Sequence, residues 1–342
     1  MNSNNKSKLA RFWEQIEKDT IKCTLCPRHC ILKNGRSGFC FVRQNLSGKM
    51  VLITYGRSSG FCIDPIEKKP LNHFYPGSKI LSFGTAGCNL GCKFCQNWDL
   101  SRSREFDRMT EKASPAEIAL AAKTHDCKSV AFTYNDPIIF AEYASDTAIE
   151  CHKLDIKTVA VTAGYITDEA RPYFFEHIDA ANVDLKSFSD DFYEKYCSGQ
   201  IEPVLKTLVY LKERTDVWFE ITNLIIPGLN DTDQEIKNMT KWIFTNLGKN
   251  VPLHFSAFHP IYKMTDRKAT PEETLIKARD IALDSGLQHV YTGNIHHKES
   301  SSTYCSNCKN LLIERDWYTI GEYNLVNNNH CPNCSTVCAG IF

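Results

Sequence analysis

From Lys79 onward, short apolar runs alternate with longer stretches whose apolar residues recur at helical spacing. Lys79–Phe83, Ser129–Thr133, Thr158–Thr162, Ala181–Leu185, Val217–Thr222, Leu253–Ser256 and His289–Thr292 read as strands. Between them, Pro115–Lys123, Pro137–His152, Thr167–Glu176, Val204–Glu213, Thr232–Phe244 and Pro271–Ser285 read as helices. Ser114 caps the first, Pro137 sits in the first turn of the second, and Asp231 opens the fifth. Strand then helix, repeated up to a closing strand, predicts an α/β fold with a parallel sheet and outer helices. Because such crossovers are right-handed, the units curl the same way and make a partial or full parallel β/α (TIM-like) barrel over residues 79–299.

Outside that rhythm the pattern is weaker. Leu9, Phe12, Trp13 and Ile16 fall at i, i+3, i+4 and i+7, which predicts a short amphipathic helix over 9–19. A loop with turn residues and no period follows, carrying Cys23, Cys26, Cys30 and Cys40. Val51–Gly77 reads as a connector, so residues 1–78 form a small Cys-rich N-terminal region. Residues 300–342 form a second small module, with Cys305-x2-Cys308 and Cys331-x2-Cys334 separated by the 22 residues Lys309 to His330.

Composition narrows the setting. With 342 residues, 42% of them hydrophobic, the chain can bury a sizeable core. Lys plus Arg equals 40 and Asp plus Glu equals 40, so no global field draws it to nucleic acid or to an anionic membrane. Met1 to Glu17 is polar, unlike a signal peptide, and no run approaches the roughly 18 apolar residues of a spanning helix. Sixteen cysteines without a secretion signal favour metal ligation in a reducing cytoplasm over disulfides.

The densest chemistry is Cys88-Asn89-Leu90-Gly91-Cys92-Lys93-Phe94-Cys95. Three thiolates on one loop hold three irons of a [4Fe-4S] cubane and leave one iron open for a reactant. Cys-x3-Cys-x2-Cys with Phe94 before the third cysteine resembles the cluster loop of the radical S-adenosylmethionine (SAM) superfamily. The resemblance implies that the open iron binds the amino and carboxylate groups of SAM. An electron from the cluster then splits a C–S bond to give a 5'-deoxyadenosyl radical, which implies an oxygen-poor cell. The Cys23–Cys40 loop fits either zinc or a second iron–sulfur cluster, and its nearness to a redox centre tips the reading toward the cluster. The paired CxxC knuckles at the C-terminus are a strong zinc signal.

Residues at the C-terminal ends of barrel strands converge on one mouth. Thr133-Tyr134-Asn135-Asp136-Pro137 resembles the superfamily segment that hydrogen-bonds the SAM amino group, with Asp136 in place of the usual glutamate. It also reads as a helix start, with Asn135 or Asp136 as cap. Asp184 and Lys186, two apart on a strand, share one face. Asp-x-Lys there resembles the pair that the activase group uses on the polar ends of SAM, although a mutual surface ion pair is the alternative. Asn223, in the segment running to Asp231, resembles the family's stretch near the methionine and ribose. His254 and His259 alternate with aromatics at the expected mouth, and Asn294 lies in a segment that resembles the family's floor for adenine.

Taken with Asp64–Gly77, these motifs resemble the AmmeMemoRadiSam-system radical SAM enzymes, relatives of the pyruvate formate-lyase activating enzymes, over most of the chain. That implies SAM chemistry and an electron donor such as ferredoxin or flavodoxin, but not a substrate. Three classes of function follow: a radical enzyme acting on a small molecule or lipid, an activase that makes a glycyl radical on a partner protein, and a zinc-ribbon scaffold. In the terminal module Glu314, Asp316 and Glu322 outweigh Lys309 and Arg315, so it offers no footprint for nucleic acid. The first class is favoured because metal modules capping the mouth would leave little room for a protein loop.

Overall fold

The computed structural model describes residues 8–102 and 111–342. The first seven residues of the polar start lie outside the described residues. The α/β class and the β/α alternation are as expected, with a mostly parallel sheet of eight strands. The chain forms two compact units interleaved in sequence. One comprises Met1–Ile63, Ile80–Asp179 and Glu202–Thr207; the other comprises Asp64–Lys79, Ala180–Ile201 and Leu208–Phe342.

In the first unit, the strand Ser129–Phe132 lies between Lys79–Phe83 and Lys157–Thr162 and runs parallel to both, Phe132 opposing Phe83 on one side and Ala160 on the other. All four of its residues are buried, so the run is apolar rather than alternating. The helix Pro115–Thr124 starts at Ser114, whose hydroxyl accepts from the Glu117 amide while Glu117 reaches back, a complete capping box. Pro137–Phe140 is a 3-10 turn that leads into the helix Ala141–Lys153.

Two expectations fail here. Residues 9–19 are not helical: Lys8–Leu9, Trp13–Glu17 and Thr20–Cys23 are strands, the last two paired antiparallel. Phe12 sits at φ 58°, which breaks a helix, and Leu9 and Ile16 are exposed rather than packed. The helix expected over Thr167–Glu176 shrinks to Arg171–Phe175. Pro172 restricts it to a first turn, and the Thr167 hydroxyl is spent on the carbonyls of Thr24 and Leu25.

In the second unit, Ala180–Asp184, Trp218–Ile225, Leu253–Ala257 and Val290–Gly293 are consecutive parallel neighbours. The helix Asp233–Leu247 is opened by Thr232, whose hydroxyl accepts from the Glu235 amide, and not by Asp231, which accepts from the Gly228 amide. Thr303–Tyr304, Leu311–Asp316 and Thr319–Tyr323 form a three-stranded antiparallel sheet in the C-terminal module. Among the described residues, no helix is long and apolar enough to cross a membrane.

The N-terminal strands are pinned by a buried bidentate pair. Arg43 Nη1 and Nη2 donate to the two carboxylate oxygens of Glu142 at 2.9 and 3.0 Å, and the Arg11 amide donates to the same carboxylate at 2.6 Å. Glu142→Gln leaves a buried guanidinium without its counter-charge and is expected to lower the unfolding free energy by about 3–5 kcal/mol. Urea denaturation checks this; a loss below about 1 kcal/mol, the range of an exposed pair, would refute the role assigned to the pair.

Candidate cluster site and the neighbouring metal-binding residues

The strand Lys79–Phe83 delivers Gly84-Thr85-Ala86-Gly87 and then the three cysteines. Asn135 fixes that approach. Its Oδ1 accepts from the Thr85 amide at 3.1 Å, while its Nδ2 donates to Gly87 O at 2.8 Å, Thr85 Oγ1 at 3.1 Å and Ala86 O at 3.4 Å. Both glycines are sterically required. A Cβ at Gly84 would lie 2.3 Å from Thr133 O, and one at Gly87, where φ is 86°, would lie 2.0 Å from Cys40 O. The loop therefore rests directly on the backbone of the N-terminal cysteine segment.

Beyond this point the Asn89 side chain donates to Tyr165 O at 2.9 Å, and the Arg28 guanidinium donates to Asn89 O. Phe94, within the loop, is buried. Burial and the Asp136 carboxylate push the Cys88 thiol up to about 12, opposed by the backbone amides of Leu90 and Asp136 near its sulfur. Cys95 Sγ lies 3.2 Å from Ser101 Oγ.

Tyr134 turns the chain at φ 69° and is half-buried. Asp136 is buried, and it rather than Asn135 caps the following turn. Its Oδ1 accepts from the Ile138 amide and the Thr162 hydroxyl at 3.1 and 2.8 Å, and its Oδ2 from the Ala163 amide at 3.1 Å.

In the second unit, Asp184 and Lys186 form an ion pair at 2.9 Å with side-chain exposures of 35% and 15%, so it is partly solvated. Asn223 is buried at the end of its strand. Its Nδ2 donates to Leu185 O at 2.7 Å, and its Oδ1 has no partner among the described residues. Asn294 sits at φ 61° and donates to Ala257 O at 3.2 Å, and His259 is exposed. His254 is not at a strand end. It is the second residue of its strand, and its Nε2 lies 2.6 Å from Glu220 inside the unit. That carboxylate also accepts from the amides of Asn72 and His73 and from the Trp218 indole, so the histidine completes a buried polar knot.

The cysteine sites differ in scale. Among the described residues, two sets of side chains bring all their ligand atoms within 4.8 Å of one another: Cys305, Cys308, Cys331 and Cys334; and His73, His289 and Cys338. The sulfurs of Cys305 and Cys334 are 3.5 Å apart and those of Cys308 and Cys331 3.6 Å apart, close to the edge of about 3.8 Å that a Zn–S distance of about 2.3 Å gives a tetrahedron. Neither Cys88, Cys92 and Cys95 nor Cys23, Cys26, Cys30 and Cys40 form such an ion-sized set. The latter four line a small cavity of about 20 Å³ with Arg28, Gly38 and Asn89. Sequence reasoning missed His73, His289 and Cys338, because they come from distant segments and have no motif spacing to announce them.

A profile described as the Radical SAM superfamily matches residues 83–243, spanning the loop and the strands up to Trp218–Ile225. An uncharacterized protein of Methanocaldococcus jannaschii is 40% identical over 95% of this chain and 97% of its own. The chain belongs to the radical SAM superfamily. A 4-hydroxyphenylacetate decarboxylase activating enzyme of Clostridioides difficile is 21% identical over 60% of this chain and 70% of its own. The crystal structure of a radical SAM methyltransferase from Sphaerobacter thermophilus has the same fold, with a TM-score of 0.51 at 13% identity over 84% of this chain and 78% of that one.

Superfamily membership implies a [4Fe-4S] cluster and SAM, and the residues present fit the cluster. The loop supplies three thiols spaced wider than one ion permits, on a backbone held by Asn135 and kept clear of side chains at Gly84 and Gly87. Asn135→Ala strips several buried partners of bonds that each contribute about 1 kcal/mol. It is expected to lose most of its cluster iron and acid-labile sulfide after anaerobic reconstitution while keeping its far-UV circular dichroism. Full occupancy in that variant would mean that other contacts hold the loop.

Proposed function

We propose that Cys88, Cys92 and Cys95 hold the [4Fe-4S] cluster of a radical enzyme that acts on a small-molecule or lipid substrate by hydrogen abstraction or C–C bond formation. The observation that carries this is the three-thiol loop itself, which provides one ligand fewer than a closed cubane takes. When bound, the cluster supplies the electron that splits SAM into methionine and a 5'-deoxyadenosyl radical. The amides near Cys88 temper the charge of its thiolate, and Phe94 keeps water from the loop. In this reading Tyr134, Asn135 and Asp136 position the amino end of SAM. Asp184 and Lys186 meet its charged groups, and Asn223 Oδ1, which has no partner among the described residues, awaits a donor. His259 and Asn294, also in the second unit, are proposed as further SAM contacts.

The Cys23–Cys40 set is assigned a second iron–sulfur cluster: its thiols share the wider spacing of the Cys88 loop and rest against it through Gly87. The ion-sized Cys305–Cys334 set is assigned zinc. A small electron carrier such as ferredoxin or flavodoxin supplies reducing equivalents in an oxygen-poor cytoplasm. A second reading, formation of a glycyl radical on a partner protein, is favoured by the activating enzyme among the relatives.

Anaerobic protein with dithionite is expected to convert SAM into methionine and 5'-deoxyadenosine, and the triple change of Cys88, Cys92 and Cys95 to Ala to abolish the conversion. Turnover surviving in that variant would sink the assignment. Deuterium appearing in 5'-deoxyadenosine from a labelled metabolite extract supports the small-molecule reading, whereas label drawn from a partner's glycine supports the activase reading.

Because the Asp184–Lys186 pair is partly solvated, its energetic weight is discounted to about 1 kcal/mol. Asp184→Asn and Lys186→Met should each weaken SAM binding several-fold at unchanged iron content. Wild-type titration curves in both would reduce the pair to a surface feature.

A further inference from the structure

His73, His289 and Cys338 converge from three distant segments of the second unit, and all are buried. His73 lies in the segment before the first barrel strand, His289 just ahead of the last, and Cys338 near the C-terminus. The ring centroids of the two histidines are 4.5 Å apart, and Cys338 Sγ is 3.8 Å from His73 Nδ1.

The His289 side chain is 4% exposed, makes no hydrogen bond among the described residues, and packs its ring against that of His73. What points to an ion is that the three ligand atoms, brought together from distant segments, lie within 4.8 Å of one another. The nearest chemical company of His289 is a second imidazole and a thiol, a donor set suited to zinc. We propose that His73, His289 and Cys338 form a metal site that takes one zinc-class divalent ion, separate from the cysteine-only sites.

The surroundings fit ligation. His73 has one ring nitrogen toward Tyr291 Oη and the other, Nδ1, toward Ala339 O and Cys338. Binding through Nδ1 places the ring proton on Nε2, where it is donated to Tyr291 Oη, itself 2.9 Å from Thr303 Oγ1. That outer hydrogen bond fixes the tautomer and orientation of a metal-bound histidine. Burial holds both imidazoles in the neutral form, the form that ligates. Cys338 gives up its thiol proton to the buffer on binding, and Nδ1 gives up its contact with Ala339 O. The ion would fasten the C-terminal tail to the 64–79 segment, where Ile341 already exchanges backbone hydrogen bonds with His73 and Tyr75. Cys338 packs in the same small core as Cys305 and Cys331 but belongs to a different set of ligand atoms.

The test uses full-length protein expressed with zinc and reconstituted anaerobically. Its zinc, iron and sulfide are measured in the wild type and in His289→Asn, Cys338→Ser and Cys334→Ser. The two variants at the proposed site should each lose about one zinc equivalent relative to wild type, with iron, sulfide and SAM cleavage unchanged. Cys334→Ser should leave that equivalent in place. Unaltered zinc in both His289→Asn and Cys338→Ser overturns the proposal. Should those variants misfold, X-ray absorption at the zinc edge of the unmutated protein decides it. Imidazole nitrogen in the zinc shell supports the site, and an all-sulfur shell overturns it while leaving the Cys305–Cys334 assignment intact.

Discussion

The carboxamide of Asn135 lies buried between two turns of backbone and spends both of its ends on residues 85–87, immediately before the first cluster cysteine. One side chain thus holds the cluster loop from the strand end that also carries Tyr134 and Asp136. An amide is the only neutral side-chain group that accepts from one backbone turn and donates to several others at once. A carboxylate there would face three oxygens with nothing to donate. The glycines at 84 and 87 follow from the same constraint, since the backbone comes too close on both sides to admit a Cβ.

Much of the scaffold was legible because it obeys local rules. The strand Lys79–Phe83 lies where the apolar run predicts it, and Ser114 with Glu117 makes the capping box its spacing announces. The failures are equally local. Leu9, Phe12, Trp13 and Ile16 have helical spacing, but in a segment that contains a left-handed Phe12 the other three divide between two strands: Leu9 pairs with Val51, and Trp13 and Ile16 lie in a hairpin strand on which Ile16 is exposed. Two adjacent residues, Asp231 and Thr232, can both cap; tertiary geometry gives the helix to Thr232 and uses Asp231 on Gly228. His254 was misplaced for a different reason. Its position along the strand, toward the start rather than the end, sets it beside Glu220, and the aromatic alternation around it does not encode that.

The cysteine sets separate by scale in a way that spacing in sequence does not reveal. Cys-x2-Cys occurs in both the N-terminal and the C-terminal module, yet only the C-terminal thiols contract to the size of a single ion. A cubane interposes irons and sulfides between its ligands, so its thiolates stand farther apart than those around zinc. Distance is thus the more informative signal. The set of His73, His289 and Cys338 shows the converse case, ligand atoms brought to ionic spacing by long-range folding alone.

The contact between Gly87 and the Cys40 carbonyl has a consequence for how the protein matures. Cys23, Cys26 and Cys40 are already buried at the point where the cluster loop lies against them, and their closed state leaves no room for a bulky donor of iron and sulfide. Seating the Cys88 loop against Cys40 and filling the thiols behind it would therefore be linked events rather than two independent insertions.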